Sequence, residues 1–273
     1  MTKNCEILFI FDISEASLYL IEQELREYDS GIKILAMIGN VTRKNRLDYI
    51  LNNYEIDTIY HAAAYKHVGF SEDNLYSLIK NNILGTKIIL DFSLLKRVKS
   101  FIFISTDKAV NPKSILGYTK KIGEKLVKYY AFKKNFSGIT NFTVVRFGNV
   151  VGSSGSVIPL FLRQLKENKP LTVTHKSVSR YFMSISEAVQ LIINSSYLND
   201  ERFNIFALDM GKQIRIYDLA KRIIRLSGYS VKKNKNSKGD IPINFIGLKK
   251  GEKIREEITL GKNLKQTKKT EIF

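Results

Sequence analysis

The sequence holds one cysteine, four prolines and three histidines in 273 residues. Cys5 alone cannot close an internal disulfide and leaves no thiolate metal site, which fits a reducing cytosol. With so few histidines and no cysteine pair, no zinc or other metal site is expected. Proline is too scarce, and glycine at 16 too ordinary, for a collagenous or low-complexity chain. Acidic residues are also in short supply, 26 Asp and Glu against 44 Lys and Arg, for a formal net charge of +18. Long apolar runs are missing as well. Ile7 to Phe11 is too short for a bilayer span, and no later run reaches the ~18 residues a span requires. No membrane anchor is therefore expected in these residues, and the expected location is cytoplasmic.

What is present is ample core material: 44% of the residues are hydrophobic. At this length one large α/β domain, or a domain with a smaller lobe, is expected. The basic excess peaks in residues 230–273, with twelve Lys and Arg against five Asp and Glu. Such a patch suits nucleic acid, anionic lipid or a diphosphate ligand. The lysines lack aromatic interleaving, so a solvated surface is the preferred reading and no nucleic-acid partner is expected.

Short β-branched runs alternate with longer amphipathic ones, the pattern of βα units feeding a parallel sheet. Strands are expected at 6–11, 33–38, 58–62, 100–105 and 142–147. Helices are expected at 17–28, 44–53, 116–134 and over 74–97, the last broken near Gly85. After Val150 helices near 156–167, 185–197 and 216–227 alternate with short strands at 171–174, 203–208 and 243–246. Ser184 and Glu187 have the spacing of a capping box. Residues 232–240 read as an exposed polar loop, and the tail from Gly261 as frayed. Periodicity alone specifies an α/β sheet with a second lobe after Val150.

Three clusters sit where open α/β sheets bind ligands, at the carboxyl ends of strands. Asp12 closes the first apolar strand, where a dinucleotide fold uses a carboxylate for the adenosine ribose; alone, an Asp after a strand is more often a turn or helix-cap residue. Only 11 residues precede it, and none is glycine. His61-Ala-Ala-Ala-Tyr-Lys-His67 places small residues where a backbone passes close to a ligand. Ser105-Thr-Asp-Lys108 follows a strand with a carboxyl beside an amine, groups a low-dielectric cleft can turn into an acid and a base.

These clusters, followed in order by Arg146-Phe-Gly-Asn-Val150, Gly152-Ser-Ser-Gly-Ser-Val-Ile-Pro-Leu160, Arg180-Tyr-Phe-Met183 and Gly251-Glu-Lys253, closely resemble the CapD-like nucleotide-sugar 4,6-dehydratases of polysaccharide biosynthesis. That group belongs to the extended short-chain dehydrogenase/reductase superfamily, and the resemblance implies a Rossmann-like α/β region over 1–150 and a smaller C-terminal substrate lobe over 151–273. The resemblance implies NAD, with NADP disfavoured by the Asp12 carboxylate, and a UDP-N-acetylhexosamine substrate. It implies catalytic roles for Lys108 as base at sugar C5, Asp107 as acid at the 6-hydroxyl, Thr106 at the 4-hydroxyl, and Lys120 at the nicotinamide ribose. It places Asp12, Asn40, Ala62, Ala63, Ala64, Lys66, Asn82 and Lys120 at the cofactor. Lys66, His67, Asn149, Ser156, Val157, Arg180 and Glu252 fall at the substrate, and a homo-oligomer is expected. A UDP-sugar 4-epimerase and a non-catalytic nucleotide-sugar-binding subunit are the competing readings.

The chain departs from that pattern at three places. Leu116 stands where the superfamily carries tyrosine, and Tyr118 is turned away from that face by ~200° of helix. Asn40 replaces an aspartate. The family's first strand and Gly-rich phosphate turn are absent, which reads as an N-terminal truncation. In a sheet of order 3-2-1-4-5-6, the strands at Glu6 and Thr58 would then flank a vacancy, unless they slide together or another polypeptide supplies the strand.

Overall fold

The runs Ser100–Ile104 (β4) and Asn141–Arg146 (β5) form the centre of the molecule, with Phe101, Ile102, Phe103, Val144 and Val145 at most 1% exposed. A strand covered on both faces needs such an unbroken apolar run. The structure is a computed structural model and describes residues 5–28, 31–134, 140–153, 155–198, 201–232, 240–259 and 265–273. Before β4 come β1 (Ile7–Asp12), α1 (Glu15–Glu27), β2 (Lys33–Ile38), α2 (Lys44–Asn53), β3 (Thr58–His61), α3 (Val68–Ser71), α4 (Leu75–Leu78), a π-helical stretch (Ile79–Gly85) and α5 (Thr86–Leu95). A single 3-10 turn (Asp107–Ala109) and α6 (Ile115–Ala131) lie between β4 and β5. Beyond them follow β6 (Asn149–Val150), α7 (Val157–Lys166), β7 (Leu171–Val173), β8 (Ser179–Arg180), β9 (Phe182–Met183), α8 (Ile185–Ser195) and β10 (Phe203–Ala207). The last elements are β11 (Ile214–Arg215), α9 (Ile216–Leu226), β12 (Val231–Lys232) and β13 (Ile241–Phe245).

The fold is a parallel α/β sheet of Rossmann type. β3, β4, β5 and β10 pair in the order β10-β5-β4-β3, all parallel, with Thr58 opposite Ser100 and Phe142 opposite Phe203. β1 and β2 form a separate parallel pair. Among the described residues β1 and β3 share no ladder, so these two strands have not slid together. β1 joins the rest through side chains: Phe11 packs on the core of Val41, Leu47, Ile88, Leu90, Phe101 and Phe142, which Ile59 of β3 also meets. A second core, around Phe161, Leu171, Val173, Ile216 and Ile224, underlies the C-terminal lobe. The third core packs Ile102 and Val145 against Met183, Leu191, Phe206 and Ile272, because β10 returns from that lobe to the main sheet.

Two expectations are corrected. The helix over 74–97 does not break at Gly85. It runs on, changing from α4 to the π stretch and into α5, with Gly85 at helical φ −56° and ψ −48°. Its missing Cβ leaves room for Val41, whose Cγ2 would stand 2.7 Å from that atom. The tail is not frayed: Ile272 is wholly buried, and the Phe273 amide and carbonyl pair with Ala207 at 2.9 and 2.7 Å along the β10 edge. The polar loop expected at 232–240 falls mostly on 233–239, outside the described residues, as do Ser154 and the start of the tail at 260–264. The capping box is present, with Ser184 and Glu187 side chains each bonding the other's backbone.

Candidate active site

Pairing with β5 continues past the end of β4: the Ser105 amide donates to the Val145 carbonyl at 2.8 Å and the Asp107 amide to the Phe147 carbonyl at 3.0 Å. This sets residues 105–108 at the carboxyl edge of the sheet, beside Asn149. Thr106 caps the 3-10 turn by accepting from the Lys108 amide. Asp107 is wholly buried. Its Oδ1 accepts from Thr106 Oγ1 at 2.8 Å and from Lys108 Nζ at 2.9 Å, while Oδ2 has no hydrogen-bond partner among the described residues. Lys108 Nζ also lies 3.4 Å from Asn149 Oδ1 and 3.7 Å from Glu256 Oε1. Gly117, in the first turn of α6, is what lets that helix approach: a Cβ there would collide with the Lys108 carbonyl oxygen.

Behind this turn, Lys120 is 8% exposed; its Nζ donates to the Ile104 carbonyl at 2.8 Å and sits 4.8 Å from the centre of the Phe103 ring. Burial pulls its ammonium down to about 8, partly offset by the carboxylate of Glu124. Glu124 in turn accepts two 2.7 Å bonds from Arg146, and Ser105 Oγ donates to it at 2.8 Å. Leu116 is buried one turn before Lys120, and Tyr118 is 55% exposed, as the helical geometry requires.

At the end of β3, His61 is buried and held neutral, its ring pushed down to about 3 by burial and then by the charge of Lys120. Thr86 Oγ1 donates to the Asn82 carbonyl, so His61 Nε2 is the donor in the 2.9 Å bond between His61 and Thr86. Asn82 accepts from the Tyr65 amide and donates to the Tyr65 carbonyl and to Thr119 Oγ1. Its side chain thus braces the loop that carries Ala62, Ala63, Ala64, Lys66 and His67. Lys66 and His67 are exposed on that loop. The His67 imidazole is pulled below its ordinary range, first by desolvation and then by Lys66. Gly155, at φ +69°, leaves space for the His67 ring and brings the loop against the turn before α7.

On the other side, Ser156 opens α7 without capping it; its Oγ is buried and unpartnered among the described residues, next to half-buried Val157. Arg180 is buried, and its Nη2 meets Glu252 Oε1 at 2.9 Å, where Thr174 Oγ1 also donates. The remaining pair lies across β1 and β2. Asp12 Oδ1 accepts from the Ser14 amide at 2.8 Å, and Asn40 Oδ1 is engaged by the Thr42 amide and hydroxyl, each at 2.8 Å. The side-chain oxygen of Asn40, a residue expected at the cofactor, therefore already accepts two hydrogen bonds.

Thr106, Asp107, Lys108 and Asn149 thus form one cluster, with Lys120 a layer behind and Arg180 and Glu252 beyond. The sequence reading missed Glu124, Lys253 and Glu256. Glu124 follows Lys120 by four residues on α6, a spacing that could have shown it. Glu256 follows Glu252 at the same interval, but in a loop that spacing carries no signal. Ala62–Ala64 and the buried Lys120 amine suit a nicotinamide riboside. Among the described residues no group of His, Cys, Asp and Glu could hold a metal, and no helix is long and apolar enough to cross a membrane.

CapD of Staphylococcus aureus, a capsular polysaccharide biosynthesis protein, is 44% identical over 250 residues, covering 91% of this chain and 40% of CapD. UDP-glucose 4-epimerase of Rickettsia bellii is 36% identical over 237 residues, covering 87% of this chain and 65% of that protein. Among solved structures, Pen from Bacillus thuringiensis superposes with a TM-score of 0.81 at 35% identity, covering 93% of this chain and 74% of Pen. UDP-glucuronic acid 4-epimerase from Bacillus cereus, solved with UDP-glucuronic acid and NAD, shares the fold at a TM-score of 0.74 and 22% identity, over 92% of this chain and 81% of that one. The chain spans about two-fifths of the length of CapD. The polysaccharide biosynthesis protein family matches residues 1–273 throughout, and this chain belongs to that family.

Proposed function

We propose that the protein works on a UDP-N-acetylhexosamine, UDP-N-acetylglucosamine first among them, as a 4,6-dehydratase in surface-polysaccharide biosynthesis. The observation that carries this reading is the Asp107–Lys108 pair: a wholly buried carboxyl with one oxygen unpartnered, and an amine 2.9 Å from the other. Elimination across two adjacent carbons needs an acid and a base side by side. Family membership supports the polysaccharide setting, and the ligands bound to the Bacillus cereus neighbour support a nucleotide sugar with NAD.

When bound, NAD supplies hydride acceptance at sugar C4 and hydride return at C6. Once C4 is a ketone the C5 hydrogen is acidic, and the chain's own residues do the rest. Lys108 takes the C5 proton. The C5–C6 double bond forms as the C6–O bond breaks, and Asp107 gives a proton to the departing hydroxyl, which leaves as water. Thr106 orients the 4-hydroxyl, and Lys120 holds the nicotinamide ribose. Arg180 takes the diphosphate and Glu252 the uridine ribose, with Asn149, Ser156 and Val157 lining the approach and Lys66 and His67 at its rim.

A 4-epimerase is the second reading, favoured by the Rickettsia bellii relative. It has no water to eliminate and leaves Asp107 without a task. UDP-4-keto-N-acetylglucosamine supplied in deuterium oxide bypasses the oxidation at C4 and separates the two. A dehydratase puts deuterium at C5 and yields a product lighter by one water, above a protein-free control. A protein that does neither is not a 4,6-dehydratase.

A further inference from the structure

Lys108 is held from two sides, and the second side comes from the far end of the chain. Glu256 is 4% exposed, with Oε1 3.7 Å from Lys108 Nζ and Oε2 3.4 Å from Lys253 Nζ. Oε2 makes no hydrogen bond among the described residues. Lys253, itself buried, spends a 2.6 Å bond on the Val110 carbonyl, just past the turn that carries Asp107 and Lys108. The segment is pinned around Glu256: Gln213 Nε2 donates to its carbonyl at 2.6 Å, the Ser179 amide to Ile254 at 2.9 Å, and Asn111 Nδ2 to Glu257 Oε2 at 2.6 Å. A carboxylate buried this deeply persists only where cations and fixed geometry hold it.

We infer that Glu256 is the positioning residue for Lys108, fixing its Nζ between two carboxylates and stabilising the ammonium that forms when Lys108 takes the C5 proton. This rests on the reading of Lys108 as proton acceptor. Proton uptake by Lys108 and proton loss from Asp107 cancel, so the elimination leaves the net charge of Asp107, Lys108, Glu256 and Lys253 together unchanged. Asp107 and Glu256 are the carboxyl groups facing Lys108, Asn149 Oδ1 is the neutral acceptor, and Lys253 meets Glu256 from the far side. Glu256 itself lies behind Lys108 and acts through it.

The test compares wild type, Glu256→Gln and Glu256→Asp in deuterium wash-in at C5 of UDP-4-keto-N-acetylglucosamine. Melting temperature and calorimetric UDP affinity are measured on each protein. Glu256→Gln is expected to lower kcat roughly 100-fold, the scale of losing one preorganised charge partner, with KM and UDP affinity unchanged. Glu256→Asp keeps the charge and should recover part of kcat. If Glu256→Gln does not fold, Glu256→Asp carries the test through its own fall in kcat at constant UDP affinity. Wild-type kcat in either folded variant overturns the inference and leaves the dehydratase reading standing. No wash-in by the wild type removes both.

Discussion

Asn82 holds the Tyr65 peptide at both ends, accepting from its amide at 2.9 Å and donating to its carbonyl at 3.1 Å. The π-helical stretch is what turns this side chain inward, 2% exposed, between the β3 loop and Thr119 of α6. Asn82→Ala would remove the partner of both the Tyr65 amide and the Tyr65 carbonyl, at a cost of about 1–3 kcal/mol. Urea unfolding should read that loss, and a variant as stable as wild type would show that the loop holds itself.

His61 makes stability pH-dependent. Its folded value, about 3, lies below the ordinary 6.5, so the unfolded chain binds more protons below that value. The stabilisation from neutral His61 is complete above pH 6.5 and declines as pH falls toward 3, by up to about 1.4 kcal/mol per pH unit. Stability measured by urea from pH 7 to pH 4.5 should fall more steeply in wild type than in His61→Gln. Equal slopes would place the acid sensitivity elsewhere.

Lys120 should titrate near pH 8, because burial outweighs the attraction of Glu124. Competitive acetylation followed by mass mapping should find its half-point there, with surface lysines near ~10.4. A half-point matching the surface lysines would contradict the buried geometry.

Lys108→Ala should retain UDP affinity and abolish C5 wash-in, while Arg180→Met should weaken UDP at least about tenfold, the loss expected of one charge-assisted anchor. Wash-in that survives Lys108→Ala would move the base elsewhere. Unchanged UDP affinity in Arg180→Met would move the diphosphate.

Much of this was legible in the sequence, for local reasons. β4 and β5 are apolar without interruption because both faces are covered, and Ser184 with Glu187 announces the start of α8 within four residues. The Asp107–Lys108 turn follows β4 directly, so strand and motif were read together. The π stretch was hidden because its residues also suit an α-helix, and only Gly85 stood out, misleadingly, as a break. Glu256 was hidden for a different reason. Its meaning comes from contacts with Lys108 and Lys253 made by a loop whose path no periodicity encodes.

The split between the β1–β2 pair and the four-stranded sheet gives the molecule two opening energies. No backbone ladder crosses that boundary among the described residues, and residues 5–54 are joined to the rest through packing of Phe11, Val41 and Leu47 and the 2.7 Å bond from Lys96 to Asn52. A boundary of side-chain contacts opens without breaking a ladder. The β1–α1–β2–α2 unit is therefore expected to be the less stable one, its amides exchanging with solvent ahead of those in β4 and β5 in a hydrogen-exchange measurement. A ligand bridging Asp12 and the β3 loop would slow that exchange first, making the amides of β1 the most sensitive reporters of occupancy in the molecule.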